Sequence, residues 1–443
     1  MSSIGVISIL IAIALLIFFV YKGLHVLVAA PLAAMLVAGF NGLGLVDGYS
    51  KNYMAGLAGF AQNNLPIYLW GAIMGELYNQ SGAAISIAKL FSNLFRGKKE
   101  HVSVFTSIFI ISLIGVIMSY GGISGIVLMF VLMPMTLGIM EECGIPREMA
   151  PGVLLGSIAT AALTLPGSPQ MNNTIPMQYL GTSSTAALIP GIIGGIVVLG
   201  GNIAFLTWAA NSEIKKGNIF KAAVGDEDLK ASIDKKELPN PILSLLPLVI
   251  TFFFFNMFKL YIGYSIMLGI VAGIVLFYKQ LGGSIKSLSK LIGLGAASAC
   301  VLCFSSAALS GFGSVVSATE TFKGISAALT AIDGPPLFIS MIAICLITGI
   351  CGSGPAGLGA ALPMFHDTFV ALGVNMNAVH RIGAFAGTTL DTLPTNAGFI
   401  AATGIAKTPA DKSYKYVGVC TVLNTTIATF VVTLLLTLFP GLA

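Results

Sequence analysis

Long apolar runs recur from one end of this chain to the other, and they recur in pairs. Residues 4–20 and 24–41 form two such runs joined around Lys22, and residues 242–258 and 261–278 form two more joined at Lys259. Runs approaching about 20 residues predict helices that cross the hydrocarbon of a bilayer. Residues 209–240 are the one long polar segment, rich in Lys and in Asp and Glu, and predict a solvated linker. It divides the chain into two parts of similar length, 1–208 and 241–443, each opening with a short-linked apolar pair.

Within each half the apolar pattern is broken by Gly and Pro. The first half carries Ser119-Tyr120-Gly121-Gly122-Ile123-Ser124-Gly125, then Pro134 and Gly144, then Leu165-Pro166-Gly167-Ser168-Pro169. The second carries Cys351-Gly352-Ser353-Gly354-Pro355-Ala356-Gly357, then Pro363 and Gly373, then Leu393-Pro394 at nearly the same spacing. Inside a membrane, irregular backbone is excluded from lipid and is tolerated only where it is buried or lines a cavity. Matching helix interruptions in two halves are a sequence pointer to a transporter's binding site.

Charge gives the chain an orientation. With the linker in the cytoplasm and the first half inverted relative to the second, most Lys and Arg fall on the cytoplasmic side, as the positive-inside rule asks. Lys51, Lys89, Arg147, Lys259 and Lys323 are left over. This arrangement puts Glu141-Glu142 outside, Arg381, Lys407, Lys412 and Lys415 inside, and both termini outside. Residues 82–95 and 321–333 are shorter and mixed in polarity. They read either as amphipathic helices lying along opposite membrane faces or as connecting loops.

Composition narrows the class. The chain is 56% hydrophobic and 9% charged, with 52 glycines, as expected of a multi-pass membrane protein with closely packed helices. The first run has no positive charge before it, so it reads as a retained helix rather than a signal peptide. The formal charge of +5 is explained by loops and is no nucleic-acid signal. Cys300 and Cys303 are the only close pair among six cysteines and lie in an apolar helix, which reads as core packing rather than a metal or redox site. No phosphate-binding loop, zinc-protease motif or nucleophile elbow is present, and the four histidines are not closely paired, so neither an ATP-driven pump nor an enzyme is expected.

The candidate chemistry sits at the breaks. Gly167 and Ser168 open a polar cluster of Gln170, Asn172, Asn173 and Thr174. Thr388, Thr389, Asp391, Thr392, Thr395 and Asn396 are its counterpart. Helix starts at such breaks aim unpaired N–H groups at an anion, and hydroxyl and amide groups serve a carboxylate, a substrate hydroxyl or a cation. Gly121, Gly122, Ser124, Ser353 and Gly354 are expected to close the same site from the other side, with tight helix packing as the rival role for the glycines. Asp391, Glu76 and Glu320 are the acidic residues at membrane depth. An ionisable group there is by default a functional one, so Asp391 and Glu76 are the coupling candidates. His380-Arg381 is placed near the cytoplasmic mouth, where Arg381 either attracts an anion or, the favoured reading, anchors at headgroup level.

The segments Thr388-Thr-Leu-Asp391-Thr-Leu-Pro-Thr-Asn396, Leu165-Pro-Gly-Ser-Pro-Gln170, Asn173-Thr-Ile-Pro176 and Gly181-Thr182 resemble the gluconate permease family, most of all its branch for short hydroxy-acids such as 3-hydroxybutyrate. The likeness spans nearly the whole chain. It departs where relatives carry His-Asn-Gly and this chain has Thr395-Asn396-Ala397, since Thr395 cannot titrate in place of a His. The resemblance implies an all-α polytopic fold of two inverted-topology repeats with re-entrant hairpins and broken helices, a scaffold plus a transport domain, with tips near 165–174 and 391–398. It also implies a homodimer in the inner cell membrane with elevator-like motion. The expected function is proton-coupled symport of a small organic acid anion, a short hydroxycarboxylate, with no cofactor beyond the coupling ion. Sodium, held at Asn173, Thr174 and Asn396, is the alternative ion, and a passive anion channel is a further alternative.

Overall fold

The computed structural model describes residues 3–443 apart from 23, 97–102, 124, 224–236, 352 and 395. Ser124, Thr395, Gly352 and residues 224–236 of the linker therefore lie outside the described residues. Every regular element among the described residues is a helix. In the first half these are α1 (Ser3–Tyr21), α2 (Val26–Phe40), α3 (Met54–Ser81), α4 (Ala83–Arg96), α5 (Val104–Tyr120), α6 (Gly125–Glu142), α7 (Ala150–Gly156, prolonged by Ser157–Ala161 and Ala162–Thr164), α8 (Met171–Leu180) and α9 (Leu188–Lys215). In the second they are α10 (Pro241–Asn256), α11 (Ile262–Leu276), α12 (Ile285–Ser317), α13 (Glu320–Thr330), α14 (Pro336–Cys351), α15 (Gly354–Ala371), α16 (Met376–Thr389), α17 (Ala397–Ala406) and α18 (Ala410–Leu438). The order α10–α18 repeats the order α1–α9.

Among the described residues, α9, α12 and α18 are long and apolar enough to cross a membrane, and α1, α2, α5, α10, α11 and α14 carry shorter apolar stretches. Many large apolar side chains face outward, including Leu10, Phe40, Ile196, Val275 and Phe430. Such a surface suits lipid and not water. The protein is a polytopic membrane protein.

Two long helices, α3 and α12, pack along each other and form the spine. The opening pair of each half then crosses to the other half's spine helix: α2 packs on α12, and α11 packs on α3. The cores follow this exchange. Ile266 and Ile270 of α11 are buried with Leu77 of α3 and Leu132 of α6, while Ala33 and Val37 of α2 are buried with Cys303 of α12 and Leu362 of α15.

Side-chain bonds define two ends of the molecule. At one end, Ser86 of α4 donates to Pro239 O at 2.5 Å, Phe220 N–H bonds Gly144 O at 3.3 Å, and Arg147 Nε donates to Ala406 O at 2.6 Å. This is the linker face. The far face is marked by Thr321 of α13, whose hydroxyl donates to Asn41 Oδ1 at 2.7 Å. Thus α4 and α13 are helices at opposite faces, as the amphipathic reading expected and the loop reading did not. The turn after α6 meets the linker, so Glu141-Glu142 lie at the linker face and not on the opposite side. Lys89 and Arg147, left unassigned by charge counting, belong to segments on that same face.

The reason for the difference is that α5 and α6 form a hairpin. Ser107, at the start of α5, sits 3.0 Å from Cys143 Sγ just past the end of α6, so the two helices are antiparallel. Likewise α14 and α15 double back on each other around the turn before Gly354, with Gly357 lying against Thr348. The chain therefore turns back between α5 and α6 and between α14 and α15. The segments near 165–174 and 391–398, expected to be re-entrant tips, are instead breaks in discontinuous helices. α7 packs on α6 and α18, whereas α8 leaves it for α15 and α16; α16 packs on α14 and α18, whereas α17 leaves it for α6 and α7.

Candidate functional site

The first break is a turn held by bonds from five segments. α7 ends at extended Leu165, Pro166 follows, and Gly167 takes φ +76°, which favours a residue without a side chain. Gly167 N–H bonds Ser184 O at 2.8 Å, and Ser168 Oγ donates to Ala162 O at 2.7 Å. Tyr120 of the first hairpin donates its hydroxyl to Pro166 O at 2.9 Å, and Asn256 of α10 donates to Gly167 O at 3.1 Å. Gln170 Nε2 then reaches the hairpin turn, donating to Ser119 O at 2.6 Å and Ile123 O at 3.1 Å. Backbone groups freed by irregular structure are all the more in need of partners within a membrane.

The second break is built around Asp391. The Thr392 hydroxyl donates to Asp391 Oδ1 at 2.6 Å, and the Gly354 backbone, at the start of α15, lies near the same carboxylate. Asn396 caps α17: its Oδ1 accepts from Phe399 N at 3.0 Å, and its Nδ2 donates to Asp391 O at 2.7 Å. Each break is thus tied to the hairpin of its own half, the first through Gln170 and the second through Asp391.

The halves are joined by His380 and Arg381 on α16. Asn173 Nδ2 donates to Ser168 O at 2.8 Å and Ser184 O at 3.0 Å, which fixes its Oδ1 toward His380 Nε2 at 3.0 Å. His380 Nε2 is then the donor, and in the neutral ring Nδ1 accepts from the Thr182 hydroxyl at 2.6 Å. Arg381 is fully buried and donates to Thr164 O at 2.7 Å, Ala186 O at 2.9 Å and Ser184 O at 3.3 Å. The headgroup-anchor reading of Arg381 is overturned. The Thr164 carbonyl lies at the end of α7, the negative pole of that helix, and the guanidinium fork answers it together with the Ser184 and Ala186 carbonyls that precede α9.

Asn172 is different. It is wholly buried, and among the described residues neither its Nδ2 nor its Oδ1 has a partner. Its amide lies over Gly354 and Gly387, where a Cβ on Gly354 would come within 2.8 Å of Nδ2 and one on Gly387 within 3.0 Å. Thr174 Oγ1 and Ser119 Oγ are likewise buried without partners. Unpaired buried polar groups are costly and call for an explanation. Asn172 lies against the start of the second hairpin's α15, and Ser119, in the last turn of α5 of the first hairpin, lies beside Gln170 of the first break.

The remaining candidates divide. Ser168, Asn173 and Asn396 have their side chains committed to the protein's own bonds, as above. Ser353 caps α15, accepting from Ala356 N at 3.5 Å. Gly121 lies against Leu248 of α10, and Gly122 (φ +89°) against Ile266 of α11, so their visible role is the turn and its packing. Glu76, half-buried in the last turns of α3, accepts from Gln80 of its own helix at 2.7 Å and not from either break. Glu320 is not at membrane depth: it is exposed at the start of α13 and pairs with Lys323 at 2.6 Å. Gly387, Asn256 and Tyr120 were not singled out as site residues by the sequence. Only Asn256, a lone amide ending the run Ile242–Phe255, carried a visible signal.

No metal-binding group of His, Cys, Asp and Glu forms among the described residues. No family model matches the chain. It is similar to the uncharacterized transporter YxjC of Bacillus subtilis (strain 168), with 25% identity over 95% of this chain and 96% of that protein. Its fold is similar to the crystal structure of the YdaH transporter of Alcanivorax borkumensis, described as having an unusual topology, with a TM-score of 0.59 and 14% identity over 90% of this chain and 89% of that one. The chain shares the fold of a solved membrane transporter and, at low identity, nearly the whole length of a second protein named as one.

Proposed function

We propose that this membrane transporter is a secondary symporter that carries a small organic acid anion, a short hydroxycarboxylate, inward together with protons moving down their gradient. The observation that carries the reading is the Asn172 amide, held among the described residues without partners beside Gly354 and Gly387, with the Gly354 backbone in turn near the Asp391 carboxylate. Nδ2 suits a carboxylate oxygen and Oδ1 a hydroxyl, so one side chain reads both halves of a hydroxy-acid. Thr174 and Ser119 offer further hydroxyls. The resemblance to gluconate permeases, which rests on the residues around both breaks, supports the same substrate class.

Asp391 is the coupling residue in this reading, a carboxylate inside the site rather than at a membrane surface. The sodium alternative draws less support. Of its three expected ligands, Asn173 Oδ1 faces His380 and Asn396 Oδ1 faces Phe399 N–H, which leaves Thr174 alone with an unused oxygen. Hairpins that enter from opposite faces, and the repeated element order, support two inverted repeats, 1–208 and 241–443, and an elevator-type transport domain. A homodimer in the inner cell membrane completes the reading.

Uptake of labelled 3-hydroxybutyrate into proteoliposomes, with gluconate as competitor, tests it. Accumulation under an imposed proton gradient is expected. Accumulation only with sodium overturns the ion, and equilibration without accumulation under either gradient points to a channel.

A further inference from the structure

One cavity lies apart from the breaks. It has a volume of about 580 Å³ and lies between α12, α13 and α15, lined by Ser314, Ser317, Lys323, Gly359, Asp367 and Thr368 among others. α12 leaves the linker face and is 33 residues long, about 50 Å at the helical rise, so its end and α13 are at the far face. The exposed side chains of Lys323 and Asp367 mark the mouth there. Their opposite charges, with Glu320 and His366 beside them, give this mouth no strong sign of its own.

An aromatic ring lies behind the cavity wall at Gly359. Gly359 lines the cavity, and Phe60 of α3 is seated directly on it; a Cβ on Gly359 would overlap the ring. Phe60 is 1% exposed. Inward from this contact, α15 reaches Gly354 in five residues, about 7.5 Å, and α3 reaches Asn64 in one turn. Asn64 is fully buried, its Nδ2 donates to Phe60 O at 2.9 Å, and its Oδ1 has no partner. A water-open cavity, a ring behind the Gly359 that lines it and an unanswered polar atom one turn further along α3 lie in sequence toward Gly354 and the Asn172 amide over it.

We infer that this cavity is the entrance vestibule for the transported hydroxycarboxylate from the face opposite the linker, that the Phe60 ring on Gly359 is its gate, and that Asn64 meets the substrate hydroxyl once the gate has opened. The inference rests on the transporter reading above. The hydroxyls of Ser314, Ser317 and Thr368 suit a small hydrated solute, and the volume lies in the ordinary range for small-molecule sites.

Thiol accessibility tests this without reference to any substrate. The full chain in proteoliposomes is treated with a membrane-impermeant thiosulfonate, with labelling of the six native cysteines measured in parallel. Ser314→Cys is expected to react. Asn64→Cys is expected to stay silent beside Phe60, and to react at least about tenfold faster when Phe60→Ala is added, since reactivity follows exposure. Phe60→Leu serves if Phe60→Ala does not fold. A silent Ser314→Cys overturns the vestibule. An Asn64→Cys that reacts equally with and without the ring, or not at all, overturns the gate. Failure of hydroxybutyrate uptake by the unaltered protein would instead overturn the substrate reading and leave these outcomes intact.

Discussion

Asn173 of the first half and His380 of the second meet at 3.0 Å, amide oxygen to imidazole Nε2, and through this pair the two helix breaks are fixed relative to each other. Every other polar atom of the pair is also engaged, by Ser168, Ser184 and Thr182.

His380→Ala is expected to lower the apparent melting temperature in detergent, because it strands Asn173 Oδ1 and Thr182 Oγ1. Leaving a buried polar group unanswered costs about 1–3 kcal/mol. His380→Gln keeps one donor and is expected to recover part of the loss. Equal melting of all three proteins would remove the pair from the fold's support.

Asn172→Ala is expected to behave in the opposite way. Its amide has no partner to lose, so melting should hold steady or rise, while KM for the hydroxy-acid rises by about tenfold or more, since a hydrogen bond to a charged group is worth about 1.5–3 kcal/mol. Paired melting and uptake measurements separate the two effects. A loss of stability at unchanged KM would make Asn172 a structural residue.

Gly354→Ala should abolish uptake. The added methyl meets Gly387 O and the Asn172 amide, both fixed in a packed interior. Gly144→Ala is the control: its φ is +68° but nothing lies within 4 Å, so it should cost some stability and little uptake.

Asp391→Asn is expected to abolish accumulation driven by a proton gradient while substrate exchange across the membrane continues. Asn remains a hydrogen-bonding group at that position but cannot carry the proton. A variant that concentrates substrate as well as the unaltered protein would take Asp391 out of the coupling.

The helices were legible in the sequence because lipid dictates the length of an apolar run. The two polar clusters were legible because polar residues at membrane depth need a reason to be there. What was not legible is which Gly/Pro interruption turns the chain back and which lets it continue. Both kinds carry the same punctuation, and only a contact such as Ser107 with Cys143 tells them apart. The same limit applies to neighbours. Asn172 and Asn173 are chemically identical and adjacent, yet a rotation of about 100° around α8 gives one a full set of partners and the other none. Those partners, Ser184 and His380, are distant or belong to the other half. Arg381 reads as a surface anchor for the same reason, since its three carbonyls lie about 200 residues away in the chain.

The crossed packing of α2 on α12 and of α11 on α3 has a consequence for synthesis. When the ribosome has made only the first half, α1 and α2 are threaded into the bilayer but the surface they are shaped for does not yet exist. The apolar pair must wait in lipid until residues 285–371 are inserted. Neither half is then a folding unit in its own right. The halves should be expressible as two separate chains cut within the linker, but each should persist in the cell only when the other is made beside it.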